Sequence, residues 1–229
     1  MKTKKRLLRL ELAAAFVLIA TSCVPEFKNP LPPPADGKAD EAILGVWETR
    51  PDEGNDRQQI SIFANKSGGI DVVCIADIDS EEGLSVSVFK GHTTRIGEDK
   101  FLSLTPRKPE KREPLDEPEK RTYLIVPYET SAESLVVKVF SLSAFRRMIE
   151  QGELDGEIRD GKYLDSVVVT ASSKELAAAI ARKGVPALVE EDTELKYRKL
   201  HQRDRKKSLA DQRQRKRGEK GSGCDRKHF

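Results

Sequence analysis

The residue types that most often carry chemistry are few in this chain and lie far apart. They are three cysteines and three histidines: Cys23, Cys74, Cys224, His92, His201 and His228. No two histidines have the i, i+4 spacing with which one face of a helix presents two zinc ligands. The sequence also lacks the Gly-x-Ser-x-Gly turn of serine hydrolases and the glycine-rich loop that cradles phosphates. We therefore expect a protein that is not an enzyme, holds no metal and needs no cofactor.

Cys23 differs from the other cysteines because it follows a stretch with the layout of an export signal. Residues 2–9 are basic, residues 12–20 are almost wholly apolar, and Thr21 and Ser22 supply small side chains directly before the cysteine. A helix of about ten apolar residues is about 15 Å long, whereas the hydrocarbon core of a bilayer is about 30 Å thick. The stretch therefore predicts a signal peptide over residues 1–22 and is too short for a comfortable membrane span.

Small residues followed by a cysteine resemble the lipobox of bacterial lipoproteins. In that family the cysteine thiol is joined to diacylglycerol, the signal is cut directly before the cysteine, and the new amino group is acylated. The resemblance implies lipidation of Cys23, cleavage between Ser22 and Cys23, and a place at the cell envelope outside the cytoplasm. In a host with two membranes it implies the outer one, because Val24 rather than Asp follows the cysteine. Ala20 departs from the family, in which Leu is commoner, and an ordinary cleaved signal with an incidental cysteine is the alternative.

Residues 23–41 are expected to be a lipid-anchored tether. The stretch VPEFKNPLPPPADGKAD (24–40) contains five prolines and few residues that could be buried. Proline-rich chains are extended and semi-rigid. We therefore expect this segment to hold the following domain, residues 42–200, away from the membrane.

The charges are distributed unevenly between the body of the chain and its ends. The net charge is +3, but residues 1–22 carry +4 and residues 199–229 carry +8, which leaves −9 for residues 23–198. Residues 201–229 have almost no apolar side chains and cannot form a core, so they predict a disordered basic tail. Because export would separate this tail from nucleic acid, we expect anionic partners in the envelope, or no partner at all.

Short stretches of alternating apolar residues, separated by turn signals, predict a mainly β domain over residues 42–200. The expected strands are 45–49, 59–64, 70–78, 84–89, 100–104 (after a tight turn that begins at 96), 121–128, 134–142, 163–171 and 193–200. Cys74 lies on the apolar face of one of them, so a buried structural thiol is expected there and a disulfide with Cys224 is not. The charged, proline-rich stretch 106–120 is expected to be an exposed loop.

Two short helices are expected late in this domain. Residues 143–152 have apolar residues at helical spacing, with Gly152 as a stop. Residues 172–184 are the stronger prediction, because Ser172 and Glu175 have the spacing of a capping box and Gly184 suits the end of a helix.

The motif Gly-x-Trp at residues 45–47, directly after the tether, resembles the start of lipocalin-like barrels. The resemblance covers residues 42–200 and implies a barrel or half-barrel of about eight to nine antiparallel strands with two short late helices. In that family the tryptophan closes the barrel floor and packs against a basic residue near the last strand. This assigns Gly45, Trp47 and Arg198 to the floor, with Lys196 as the other candidate. Two helices before the last strand depart from the family, and another β-sandwich with Trp47 as a plain core aromatic is the alternative.

The residues expected to point into the barrel are mostly modest aliphatic side chains, so a filled interior and an open cup both remain compatible with the sequence. They are Ile60, Ile62, Val72, Val86, Val88, Leu124, Val126, Val137 and Val139. We expect a lipid-anchored, non-enzymatic envelope protein that binds a small apolar ligand in or on the barrel. The alternative is a structural adaptor whose basic tail contacts acidic components of the envelope.

Overall fold

The structure is a computed structural model that describes residues 24–49, 57–76, 85–107, 121–159, 161, 166–190 and 193–201. Its strands are β1 (Glu26–Phe27), β2 (Gly45–Thr49), β3 (Gln59–Ala64), β4 (Ile70–Ala76), β5 (Ser85–Ile96), β6 (Asp99–Arg107), β7 (Leu124–Thr130), β8 (Ser134–Val137), β9 (Gly156–Arg159), β10 (Ser166–Val169) and β11 (Leu195–Lys199). Its helices are α1 (Leu142–Glu150) and α2 (Ser173–Lys183), with short 3-10 turns at Glu41–Ile43 and Val185–Ala187.

Eight of these strands form a closed antiparallel barrel in the order β11-β2-β3-β4-β5-β6-β7-β8. The chain winds from β2 to β8 as a meander, leaves the barrel for α1, β9, β10 and α2, and returns with β11 between β8 and β2. The predicted fold class, a lipocalin-like barrel with two short late helices, is therefore confirmed. Neither β1 nor β9 is predicted from the sequence, and both are short strands outside the barrel.

The two ends of the barrel differ in how the strands are joined. Short turns connect β3 to β4, β5 to β6 and β7 to β8, and we call the end where they lie the turn end. Because neighbouring strands are antiparallel, β2 begins and β11 ends at this same end. The 3-10 turn at Glu41–Ile43 leads directly into β2, and Ile43 is fully buried in the barrel core.

The barrel interior is filled by side chains of the barrel itself. Trp47 and Tyr197 are the largest fully buried residues there, and Phe89 and Tyr128 occupy further space. Six of the expected inward residues are buried in this core: Ile60, Ile62, Val72, Leu124, Val126 and Val137. Of the two interiors that the sequence left open, the structure has the filled one.

The expectation that Val86 and Val88 point inward is wrong. On β5 the residues that pair with inward Val72 and Cys74 are Phe89 and Ser87. Because side chains alternate between faces with a period of two, Val86 and Val88 must lie on the outer face, where Val86 is 50% exposed. Val139 is also misplaced by the sequence, since β8 ends at Val137 and Val139 is half-buried beyond it.

A second layer covers the outer face of β6 and β7. It consists of the three-stranded sheet β1-β10-β9 and both helices, and its core includes Phe101 and Ile125 from the outer face of the barrel. Phe140 is its centre, with ring centroids 5.1 Å from Phe145 and 6.3 Å from Phe101. Aromatic pairs at such distances stabilise a core beyond their area alone.

The predicted capping box of the second helix is confirmed. Ser172 Oγ accepts a hydrogen bond from Glu175 N at 3.3 Å, and a Glu175 carboxylate oxygen accepts one from Ser172 N at 2.9 Å. Gly184 ends the helix with φ +76°, a conformation that favours glycine. Leu176 and Ile180 then form the buried stripe that the sequence pattern predicts.

The segment 24–40, which we call the strap, lies on the barrel, and the expectation that it has few residues to bury is wrong. Phe27 is 1% exposed and Leu31 is fully buried in the core of the second layer. Phe27 also exchanges backbone hydrogen bonds with Tyr123, at 3.2 and 2.7 Å.

Side chains of β5 hold the strap through its backbone carbonyl groups. The prolines of the strap have no N–H group that would need a partner, but their carbonyl oxygens still accept hydrogen bonds. His92 Nε2 donates to Leu31 O at 2.8 Å, and Thr94 Oγ1 donates to Pro32 O at 2.6 Å.

Several predictions fall outside the described residues. These are the signal peptide 1–22, the lipidation site Cys23, residues 108–120 of the predicted loop and residues 202–229 of the basic tail. Over the part of the chain that the structure describes, no helix combines the length and apolarity needed to cross a membrane.

Candidate functional site: a pocket between the strap and the turn end of the barrel

A pocket of about 340 Å³ lies where the strap crosses the turn end of the barrel, and we call it the strap pocket. The strap contributes Pro34, Asp36, Lys38, Ala39 and Asp40, and the barrel contributes Thr93, Thr94, Arg95, Lys100 and Tyr128. Thr93 is paired with Leu102, which points into the barrel, so Thr93 lies on the interior face. Lys100 is paired with inward Tyr128 on one side and with Arg95 on the other, so Lys100 and Arg95 lie on that face too. The strap pocket is therefore the polar end of the barrel interior, which the filled apolar core leaves open towards the strap.

Asp40 is the centre of the hydrogen-bond network in this pocket. Its Oδ2 accepts from the Tyr128 hydroxyl at 2.9 Å and lies 2.9 Å from Lys100 Nζ, while its Oδ1 accepts from Ala42 N at 3.0 Å. Burial acts to raise the pKa of Asp40, but these three donors outweigh it and hold the pKa below its ordinary value. Asp40 is thus an ionised carboxylate whose charge is matched by Lys100.

Tyr128 is held in its neutral form. Burial raises the pKa of its phenol, and the neighbouring Asp40 carboxylate raises it further. The hydroxyl can therefore donate to Asp40 at any physiological pH. Thr93 completes the attachment of the strap, because its Oγ1 accepts from Asp40 N at 3.1 Å.

The lining of the pocket carries more positive than negative charge. Lys38, Arg95 and Lys100 face Asp36 and Asp40, and the Asp36 carboxylate accepts a hydrogen bond from the backbone N of Lys38 at 3.1 Å. Lys38 and Arg95 are exposed, and neither forms an ion pair with another residue in the described ranges. The pocket can therefore offer cationic groups and the hydroxyl of Thr93 to a small polar molecule.

The cysteine and histidine that the structure describes in the body have structural settings. Cys74 is a free thiol inside the barrel, and burial raises its pKa to about 12. His92 holds the strap through its contact with the carbonyl of Leu31. Among the described residues, no group of three or more histidines, cysteines or carboxylates is placed to hold a metal ion.

The structure places the three predicted floor residues at the turn end, but it changes the basic partner of the tryptophan. Trp47 is fully buried, its Nε1 donates to Ile43 O at 2.8 Å, and Lys199 Nζ lies 5.1 Å from the indole centroid. Gly45 has φ +137°, and a Cβ there would lie 3.2 Å from Cε of Lys199. Glycine therefore suits the backbone at this position, and a Cβ would also require the Lys199 side chain to shift by a few tenths of an ångström.

Arg198 does not contact Trp47. It pairs with Glu48 in the β11–β2 register, on the opposite face of the strand, and its Nη2 lies 3.4 Å from a carboxylate oxygen of Glu48. Lys196 shares that outer face. The alternation of β11 is the signal that the sequence analysis missed: with Tyr197 inward, the inward cation must be residue 199.

None of the ten residues that line the strap pocket is predicted from the sequence as a site residue. Asp40 has a local signal, because it lies at the position where a side chain caps the 3-10 turn that follows. Its partners have none: Tyr128 is 88 residues away and meets Asp40 only because the barrel closes and the strap docks.

No family model, no curated protein and no solved structure matches this chain.

Proposed function

We propose that this protein is a lipid-anchored protein of the cell envelope that binds a small polar molecule in the strap pocket and does not act as an enzyme. The observation that carries the proposal is the pocket itself, an opening of about 340 Å³ at the polar end of a barrel that is otherwise filled. Barrels of eight strands either fill their interior or hold one small ligand, and this chain combines a filled middle with an open end.

The polarity of the pocket replaces the apolar ligand expected from the sequence. An apolar ligand inside the barrel would compete for space with Trp47, Tyr197 and Phe89, which are all buried there. The strap pocket instead presents charged groups and hydroxyls, and its volume lies near the lower end of the range of about 300–1,000 Å³ for ligand sites. A small polar molecule is the occupant that these walls favour.

Binding rather than catalysis is favoured because Asp40 and Tyr128, the two residues joined by a hydrogen bond in the pocket, are each held in one protonation state. Asp40 is kept ionised by three donors, and Tyr128 is kept neutral by burial and by the Asp40 charge. A general acid or base needs a pKa near the working pH, and neither group has one.

The membrane anchor of the proposal rests on the sequence around Cys23. It is tested by metabolic labelling of cells with a clickable palmitate analogue, followed by mass spectrometry of the N-terminal peptide. We expect a labelled peptide that begins at Cys23, loss of the label in Cys23→Ser, and full label in Cys74→Ser as the matched control. An unlabelled protein that retains residues 1–22 would contradict the anchor.

The binding part of the proposal is tested by native mass spectrometry of the full chain, isolated from its cells in a neutral detergent. We expect a small bound mass that survives gentle ionisation and disappears in Lys38→Trp, because the indole would occupy the pocket. Lys174→Trp, on the exposed face of α2, is the control and should keep the bound mass. A bound mass that is absent from the native protein, or that persists in Lys38→Trp, would contradict binding in the strap pocket.

A second function, an adaptor that uses the basic tail, is favoured by the charge of +8 over residues 199–229. Its test is the removal of residues 202–229, since a deletion that included Lys199 would also remove the contact with Trp47. On vesicles with anionic headgroups, the non-lipidated chain should bind in low salt and release as the salt rises, and the truncated chain should not bind. Equal binding of both chains would exclude this function for the tail.

A further inference from the structure

We propose that the strap pocket recognises a small oxyanion and that Arg95 binds its carboxylate or phosphate group. This inference rests on the proposed function, because it names the class of molecule that the same pocket takes. The charges that matter are those of pocket residues that are not paired with each other. Lys100 and Asp40 satisfy each other at 2.9 Å, which leaves Lys38, Arg95 and Asp36 facing the opening.

The two remaining cations are free to bind a ligand. Within the described ranges neither Lys38 nor Arg95 forms an ion pair, so an incoming anion would displace no protein partner from them. The remaining carboxylate, Asp36, is exposed and already accepts a hydrogen bond from the backbone N of Lys38. The electrostatic balance at the opening therefore favours negative charge, and walls of low polarity such as Pro34 and Ala39 strengthen that field.

The position of Arg95 explains why it is the principal contact. It lies on the interior face at the end of β5, directly opposite Lys100 in the β5–β6 register, and its charge acts on the neighbouring Tyr128. A guanidinium presents two parallel N–H donors that match the oxygens of a carboxylate or phosphate. Lys38 lines the same pocket from the strap, and a lysine ammonium can contact an anion as a point charge.

Thr93 supplies a neutral donor at the base of the pocket. Its Oγ1 accepts a hydrogen bond from Asp40 N at 3.1 Å, while its hydroxyl hydrogen has no acceptor among the described residues. The residue is 4% exposed, so this donor is shielded from bulk water. A ligand oxygen that reaches it would gain a hydrogen bond that is worth more in a dry site than at the surface.

The experiment is equilibrium dialysis of the full chain in neutral detergent, at constant ionic strength, against radiolabelled inorganic phosphate and radiolabelled citrate. We expect saturable binding of at least one of these anions, with one molecule per chain. Arg95→Gln should weaken it at least tenfold, because a charge-assisted pair is lost. Thr93→Val should weaken it several-fold, and Lys174→Gln on α2 should leave it within twofold.

Competition with glycerol 3-phosphate, the polar end of an anionic phospholipid, identifies the source of the oxyanion. Displacement at a tenfold lower concentration than inorganic phosphate assigns the site to a lipid headgroup, whereas equal or weaker displacement assigns it to a free anion. Either assignment supports the proposal. It is overturned if neither labelled anion binds saturably, or if Arg95→Gln binds as tightly as the native chain.

These outcomes are distinct from a failure of the proposed function. If the bound mass seen by native mass spectrometry disappears in Lys38→Trp but persists in Arg95→Gln, the pocket binds a ligand and the anion proposal is wrong. If no bound mass is seen and no anion binds, the proposed function fails together with this inference.

Discussion

Replacing Phe27 by alanine tests whether the strap is an integral part of the fold. The Phe27 ring is 1% exposed, and its centroid lies 5.3 Å from that of Phe145 and 6.1 Å from that of Phe140. Truncation of a buried phenylalanine costs about 3–5 kcal/mol, from lost burial and from the cavity that remains. Domains of ordinary stability have about 5–15 kcal/mol in total, so Phe27→Ala should remove a large fraction of the free energy of unfolding.

The measurement is urea unfolding of the full chain in neutral detergent, followed by far-UV circular dichroism and by the fluorescence of Trp47. With a urea dependence of about 2–3 kcal/mol/M, the expected loss shifts the midpoint down by about 1–2.5 M. Phe63→Ala is the matched control, because Phe63 is the same residue type but is 51% exposed on the outer face of β3. The control should lose no more than about 1 kcal/mol.

A midpoint shift in Phe27→Ala that is no larger than the shift in Phe63→Ala would contradict a docked strap. That result would mean that the strap is held loosely and that residues 24–40 behave as the extended tether that the sequence predicts. It would also remove one wall of the strap pocket, because Pro34 to Asp40 would no longer be fixed against the barrel.

Three further predictions concern single residues. Gly68→Ala should cost about 1–3 kcal/mol of the free energy of unfolding in the same urea assay, because Gly68 has φ +81° and a Cβ there would lie 1.9 Å from Gly37 O. Gly152→Ala is the control, because Gly152 has a similar φ of +68° but open space around it, and it should cost less. Equal losses in the two variants would contradict the contact between Gly68 and Gly37. The lowered pKa of Asp40 contributes stability that is complete above its ordinary value of 3.8 and is lost as the pH falls through the folded value. Asp40→Asn should therefore flatten the decline of Tm between pH 5 and pH 2, and an unchanged decline would refute this. With a pKa of about 12, Cys74 should resist iodoacetamide at pH 8 until urea unfolds the chain, and rapid labelling of the folded protein would show that the thiol is accessible.

The barrel strands could be predicted because their signals are local. The bounds of β2 and β3 agree with the sequence, since alternating apolar residues lie between clear turn signals. On β5 the local signal failed: Val86 and Val88 alternate with serines and read as an inward face, but pairing with β4 places Phe89 inward instead. When the pattern of one strand is compatible with either face pointing inward, the register with the neighbouring strand decides which face does. That register cannot be read from the sequence of the one strand.

The strap and its pocket could not be predicted for a related reason. The composition of residues 24–40 predicts an extended tether, because prolines and charged residues dominate it. The segment nevertheless contains two apolar residues, Phe27 and Leu31, that are buried in the structure. Their partners belong to the second layer, whose residues from α1 and β10 lie more than 100 positions further along the chain. The pocket then depends on the docked strap, so an error in one segment conceals the site as well.

Docking of the strap changes what a lipid on Cys23 would mean for the position of the domain. Seventeen residues of extended polyproline chain would span about 53 Å at 3.1 Å per residue, enough to hold the domain well clear of a bilayer. The docked strap leaves only Val24 and Pro25 between Cys23 and β1, a reach of about 10 Å at most. The proposed anchor would therefore hold β1 close to the headgroups, and the same continuous segment, from Glu26 to Asp40, links that anchor to the wall of the strap pocket. Because Phe27 and Leu31 fix this segment between the two, the fold rather than a flexible linker would set the distance between the membrane and the ligand.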